Sequence, residues 1–151
     1  MTSDEKLPVV VGSDHAGFEM KEYVKKYLTA HSIPFFDSGA ESIDPQDGYP
    51  QFALKLAGLV ASGKYTRGIL MCGTGIGASI AANRVKKVRA ALCYSADMAR
   101  MSRLHNDSNV LVLGGRTTTP EVAEQIMDAW FRTEFEGGRH QKRIDDMDEL
   151  S

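Results

Sequence analysis

The chain predicts a doubly wound α/β fold, a three-layer sandwich around a five-stranded parallel sheet. Three observations point to it. Short runs rich in Val, Ile, Leu and Phe alternate with segments of helical period along most of the sequence. Glycine-rich turns fall where those runs stop. The 151 residues, 42% of them hydrophobic, are enough for one core and too few for two. A single domain over 1–151 is therefore expected, with no internal repeat or low-complexity segment to interrupt it.

Taken in order, LPVVVGSD (7–14) has the composition of a buried strand ending in a turn. Beyond Gly17, Met20, Tyr23, Val24, Tyr27 and Leu28 recur at the spacing of one helix face, with Lys and Glu between them. SIPFFDSG (32–39) is the second strand, and the polar stretch 40–50 is a long loop of turn residues, a kind that in compact domains often carries function. Phe52, Leu56, Leu59 and Val60 mark the next helix, and TRGILMC (66–72) the third strand. The glycine loop follows, leading into an Ala-rich helix, and VRAALCY (88–94) is the fourth strand. SADMARMSRLHND (95–107) is a helix with Ser95 placed to cap it, and SNVLVLGG (108–115) is the fifth strand. Pro120, favoured in a first helical turn, opens a helix that buries Val122, Ile126 and Trp130. The chain then breaks at two glycines and resumes as a charged helical extension over about 136–151.

Composition narrows the function classes. The 18 basic residues are balanced by 20 acidic ones, so no global field favours nucleic acid, and any anion site must be local. The two cysteines, Cys72 and Cys93, lie in separate segments without metal-knuckle or disulfide-framework spacing, as expected of a reducing compartment. MTSDEKL has the features of no export signal, and no apolar run approaches the roughly 20 residues that span a bilayer. The expectation is a cytoplasmic protein that binds neither membrane nor nucleic acid.

In a Rossmann-like sheet of this kind, ligands sit beyond the carboxyl ends of the strands. GSDHAG, CGTGIG and GGR all fall there. GTGIGA fits the dinucleotide pattern at Gly73, Gly75 and Ala78, and Asp97 follows at about the 20-residue spacing of a ribose-binding acid. That acid belongs at the tip of the next strand, however, and Asp97 falls inside a helix. A phosphate-binding P-loop is excluded, since no Lys-Ser/Thr pair follows the glycines. What remains is a loop whose glycines let successive N–H groups turn inward and welcome an oxyanion. The same field favours negative charge on the sulfur of Cys72, whose alternative role is that of a small buried hydrophobe.

Other polar groups gather at element ends. Asp14 and His15 close the first strand, where cap or turn roles compete with binding. His105 and Asn106 end a helix, and Arg116 follows LVLGG. Arg139 and Arg143 stand four apart on one face of the terminal helix. A base, an anion nest, a histidine and several arginines together suit a small phosphorylated substrate whose carbonyl becomes an oxyanion. The four histidines lack the spacing of a metal site, so no metal and no cofactor are expected.

GSDHAG, CGTGIGASIAAN, RLHNDSNVLVLGGR and EGGRHQKR, in this order over about residues 8 to 145, closely resemble the type B ribose-5-phosphate isomerase family, which includes the galactose-6-phosphate isomerase subunits. The resemblance implies isomerisation of ribose 5-phosphate and ribulose 5-phosphate through a cis-enediolate. Cys72 matches the base. Gly73, Gly75, Ile76 and Gly77, with the Thr74 hydroxyl, match the loop that holds the enediolate oxygen, and His105 matches the residue that assists ring opening. Asp14 and Asn106 match sugar-hydroxyl ligands, Tyr49 the residue that closes over the sugar, and His15, Arg116, Arg139 and Arg143 the phosphate set. In the family the last two arginines reach the neighbouring subunit, which implies a homodimer with shared sites and leaves tetramers open. Ser13 stands where many relatives have cysteine, and QDGYP carries an extra glycine, Gly48, before Tyr49. Ala78 stands where some relatives place a glutamate base, leaving Cys72 without a rival. A hexose 6-phosphate isomerase and a non-catalytic phosphosugar- or nucleotide-binding module are the competing readings.

Overall fold

The computed structural model describes residues 8–150. The strands are β1 (Val9–Ser13), β2 (Phe35–Asp37), β3 (Arg67–Cys72), β4 (Ala90–Leu92) and β5 (Val110–Gly114). The helices are α1 (Phe18–Ala30), α2 (Tyr49–Ala61), α3 (Ile76–Ala82), α4 (Ala96–Asn106), α5 (Pro120–Arg132) and α6 (Arg139–Leu150). All strands pair in parallel in the order β2-β1-β3-β5-β4. The predicted doubly wound sandwich is the fold observed.

Strand alternation divides the core in two. Val9, Val11, Ile69, Met71, Leu111 and Leu113 face a layer formed by α1, α4 and α5, where Val24, Leu28, Ile126 and Trp130 are buried. Val10, Leu70, Cys72, Val110 and Val112 face α2 and α3. The helices on the second side are lined with Ala53, Ala57, Ala78 and Ala82, which lets them sit close to the sheet. Each large aliphatic side chain fully withdrawn from water contributes about 1.5–3 kcal/mol, so both faces are needed to hold the three central strands.

Helix caps follow the sequence: Ser95 accepts the Met98 N–H at 3.2 Å and Thr119 the Val122 N–H at 3.3 Å. The strands expected over 32–39 and 88–94 shorten to Phe35–Asp37 and Ala90–Leu92. Both are edge strands. At the first, Asp37 is drawn into an ion pair with the buried Lys21, at 2.9 Å, and a second with Lys25. Burial alone would raise the Asp37 carboxyl, but hydrogen bonds from Lys21, the Gly39 N–H and Lys25 outweigh it and hold the group below its ordinary range. At the second, Lys87 adopts a left-handed φ of 75° and turns the chain just before the strand.

Among the described residues no helix is long and apolar enough to cross a membrane.

Candidate active site

The neighbouring strands β1 and β3 send their chains to opposite faces of the sheet, β1 to α1 and β3 to α3. A crevice opens where the connections part, and the loops after β1, β3 and β5 meet at it. The Gly115 N–H donates to the Cys72 carbonyl and the Arg116 N–H to the Gly73 carbonyl, both at 2.8 Å, so the β5 loop is fastened to the β3 loop. This fastening keeps the Arg116 side chain beside Gly73, where a Cβ would lie 3.5 Å from Nη1.

Cys72 ends β3 with only 4% of its surface exposed. Its sulfur accepts the Gly75 N–H at 3.2 Å. Gly75 reverses the chain at φ 85°, a conformation that disfavours any side chain, and it caps α3. Ser79 is the first α3 residue whose N–H reaches a helical acceptor, the Gly75 carbonyl, so the amides of Gly77 and Ala78 lie ahead of the ladder. The Thr74 hydroxyl accepts the Ile76 N–H at 3.1 Å and keeps its own hydrogen to donate. Tyr94, at the carboxyl end of β4, fixes the Thr74 carbonyl through its hydroxyl at 2.7 Å.

Asp14 uses Oδ1 to cap the short 3₁₀ turn His15–Gly17, accepting the Gly17 N–H at 3.1 Å. The cap role foreseen as an alternative is thus present, and the second oxygen is left for other use. His15 is held by Asp47, whose Oδ1 accepts both its backbone N–H at 3.1 Å and its Nδ1 hydrogen at 2.9 Å. Tyr49 opens α2 and lays its ring over the glycine loop, since a Cβ on Gly77 would meet the ring at 2.6 Å.

The remaining expected residues are elsewhere. α4 leaves the carboxyl end of β4 and runs back for 11 residues, a rise of about 16 Å, so His105 and Asn106 lie at the amino end of the sheet. There the Glu136 N–H donates to the Leu104 carbonyl at 3.0 Å, bringing the start of α6 against the end of α4. The rings of His105 and His140 stack at 4.3 Å. Arg139 and Arg143 are exposed on the same helix. A cavity of about 360 Å³ lies alongside, lined by Val85, Arg89, Asn106, Ser108, Met147 and Asp148. One chain therefore brings Asp14, His15, Tyr49, Cys72, Gly73, Thr74, Gly75, Ile76, Gly77 and Arg116 to one end, and His105, Asn106, Arg139 and Arg143 to the other.

Two sets offer three possible metal ligands each: His105, Glu136 and His140, and Asp14, His15 and Asp47. In the first the two imidazoles stack nearly parallel, 19° apart. In the second Asp14 and Asp47 already spend an oxygen each on hydrogen bonds within the protein. Burial, joined by the charges of Arg139 and His105, holds His140 below the usual imidazole range. Cys93 is buried against the α4 layer, and burial pushes its thiol up to about 11.

Sequence reasoning passed over Tyr94, Asp47 and His140. Tyr94 could have been found, because it lies at a strand's carboxyl end like the residues chosen. Asp47 reaches His15 across 32 residues from a polar loop and carries no local signature.

The family model described as Ribose/Galactose Isomerase matches residues 9–147. Ribose-5-phosphate isomerase B of Escherichia coli is 42% identical over 137 residues, covering 91% of each chain. A ribose 5-phosphate isomerase structure from Thermotoga maritima superposes with a TM-score of 0.91 at 47% identity, covering 95% of this chain and 98% of that one. Ribose-5-phosphate isomerase B from Mycoplasma genitalium, solved with bound ribulose 5-phosphate, superposes with a TM-score of 0.91 at 38% identity and 95% coverage of both.

Proposed function

The chain belongs to the ribose/galactose isomerase family and is an isomerase, and from that premise we propose that it interconverts ribose 5-phosphate and ribulose 5-phosphate in the cytoplasm, at sites shared between two copies. The observation that carries the reading is the Gly75 N–H on the Cys72 sulfur, beside the Gly77 and Ala78 amides that lie ahead of the α3 ladder.

Cys72 acts as the base. As thiolate it takes the proton from C2 of the open-chain aldose, the C–H pair becomes the C1=C2 double bond, and charge moves to O1. The Gly73 and Gly77 amides and the Thr74 hydroxyl take that oxygen, while the Gly75 and Ile76 amides hold the Cys72 sulfur and the Thr74 hydroxyl in place. The sulfur then returns its proton to C1, O2 becomes the ketone, and the O2 hydrogen passes to O1. General-base transfer is worth about 10²–10⁴ in rate and one oxyanion donor about 2.7–4 kcal/mol, so loop and sulfur matter comparably. Tyr49 covers the sugar, and Asp14 and Asn106 hold its hydroxyls. His105 moves the ring-opening proton between O1 and the ring oxygen. His15, Arg116, Arg139 and Arg143 take the phosphate, a task for which the planar guanidinium fork is well shaped.

A second copy is part of the proposal because His105, Asn106, Arg139 and Arg143 lie far from their own chain's Cys72. An apolar face next to the glycine loop suits that contact: Ile76 and Ile80, one turn apart on α3, with Tyr94 and Met98 from the β4–α4 corner, are each 41–56% exposed. The test is turnover of ribose 5-phosphate in deuterated water with EDTA present. Deuterium at C1 of the ribulose 5-phosphate formed is expected. Turnover that leaves C1 free of solvent deuterium, together with an active Cys72→Ala, would overturn the sulfur base.

A further inference from the structure

We propose that Asp47 is a positioning residue for phosphate binding: it holds His15 with a hydrogen on Nδ1 and thereby presents Nε2 to the substrate phosphate. The proposal rests on the reading of His15 as a phosphate ligand and adds to it a residue that touches no substrate.

Three observations carry it. First, a single carboxylate oxygen, Oδ1, receives both the backbone N–H and Nδ1 of His15, at 3.1 and 2.9 Å, so peptide and ring are fixed by one atom. A carboxylate that already accepts the peptide hydrogen also accepts from the ring, which sets the tautomer. Second, the Asp47 side chain is only 6% exposed, and its other oxygen, Oδ2, is buried without a hydrogen-bond partner among the described residues. A buried lone carboxylate oxygen weakens the fold, and a residue serving only to fasten a loop would gain from being amide or hydroxyl. Third, the backbone is shaped to deliver this side chain. The Asp47 N–H closes a turn on the Asp44 carbonyl at 3.1 Å, and Gly48, extended at φ −115° and ψ 138°, separates it from Tyr49 at the start of α2. Asp47 can face His15 while Tyr49 faces the glycine loop. The extra glycine of QDGYP thus keeps two adjacent side chains on different tasks.

The experiment is a double-mutant cycle in the full chain with Asp47→Ala, His15→Ala and both together, following kcat and KM for ribose 5-phosphate, competitive inhibition by inorganic phosphate, and Tm. Asp47→Ala is expected to raise KM and the phosphate inhibition constant about tenfold, as losing a charge-assisted hydrogen bond does, with kcat within about threefold of wild type. In the His15→Ala background the same change should leave phosphate affinity unaltered. A mere loop fastener would lower Tm and weaken phosphate by the same factor in both backgrounds, and that result overturns the proposal. So does unchanged phosphate affinity in Asp47→Ala. If the wild type binds phosphate but does not isomerise ribose 5-phosphate, the functional reading fails alone, and the cycle, measured by calorimetric titration with phosphate, still decides the role of Asp47. A wild type that binds no phosphate overturns both.

Discussion

At the carboxyl end of the sheet the polar groups are held in place by their own chain: Cys72 by the Gly75 N–H, His15 by Asp47, the Thr74 carbonyl by Tyr94. At the amino end the cations divide into two kinds. Arg89 and Arg103 both bind Asp107, at 3.4 and 2.8 Å, and tie β4 to the end of α4. Arg139 and Arg143, on exposed α6, form no ion pair among the described residues. The first pair is architecture. Arg139 and Arg143, unlike Arg89 and Arg103, are free to take the anion that the proposed shared site would bring.

The contrast can be broken from either side. The largest effect belongs to Cys72→Ala, which removes the proposed base and should lower kcat by at least about a hundredfold, while inhibition by inorganic phosphate stays within twofold of wild type. A variant with a tenth of the wild-type kcat would remove Cys72 from that role. Gly75→Val comes next. Its Cβ would lie 2.5 Å from Leu92 Cδ1 at a left-handed φ, so the loop must move and kcat should fall about a hundredfold. Thermal denaturation should show a loss of stability as well, since a β-branched residue is strained at that φ. Arg143→Ala acts on the other end and should raise KM roughly tenfold or more with a smaller change in kcat, read by steady-state kinetics.

Smaller effects sharpen the comparison. Alkylation at pH 8 should label Cys72 in the folded protein well before Cys93, whose thiol is pushed up to about 11 by burial. Mass spectrometry that finds Cys93 labelled first would contradict the assignment of the two sulfurs. The stacked pair at the amino end gives a pH dependence. Because His140 is held below its usual 6.5 in the folded protein, the unfolded chain takes up that proton first. Its contribution to stability is complete above about pH 6.5 and declines as pH falls toward the folded value. Denaturant midpoints in mildly acid buffers should show this slope, and His140→Phe should flatten it.

The sandwich was legible because its signals are local: short apolar runs in the strands, apolar faces at Met20–Leu28 and Val122–Trp130, the cap at Ser95 and the first-turn Pro120. Lys21 was not legible. It occupies a helix position where a solvated lysine is ordinary, and only the approach of Asp37 and the Ala40 carbonyl lets it be buried. The rim residues Asp14, His15, Cys72 and Arg116 could be picked out from strand direction alone. The same logic bears on His105, for a helix that leaves the carboxyl end of β4 must end at the far side of the sheet. Motif likeness grouped His105 and Asn106 with Cys72; chain direction separates them, and the proposed second copy would reunite the groups. The hold of Asp47 on His15 depends on how a polar loop folds back, which no periodicity encodes.

The central claim is that one working site draws on two chains, and subunit mixing tests it most directly. Cys72→Ala and Arg143→Ala proteins, each of low kcat/KM alone, are mixed in equal amounts, exchanged, and assayed at ribose 5-phosphate concentrations well below the wild-type KM. The account predicts recovery to about a quarter of wild-type activity, because half the dimers are mixed and each of those holds one intact site of two. No recovery after exchange has been verified by mass spectrometry would place Arg143 in the site of its own chain and contradict the account.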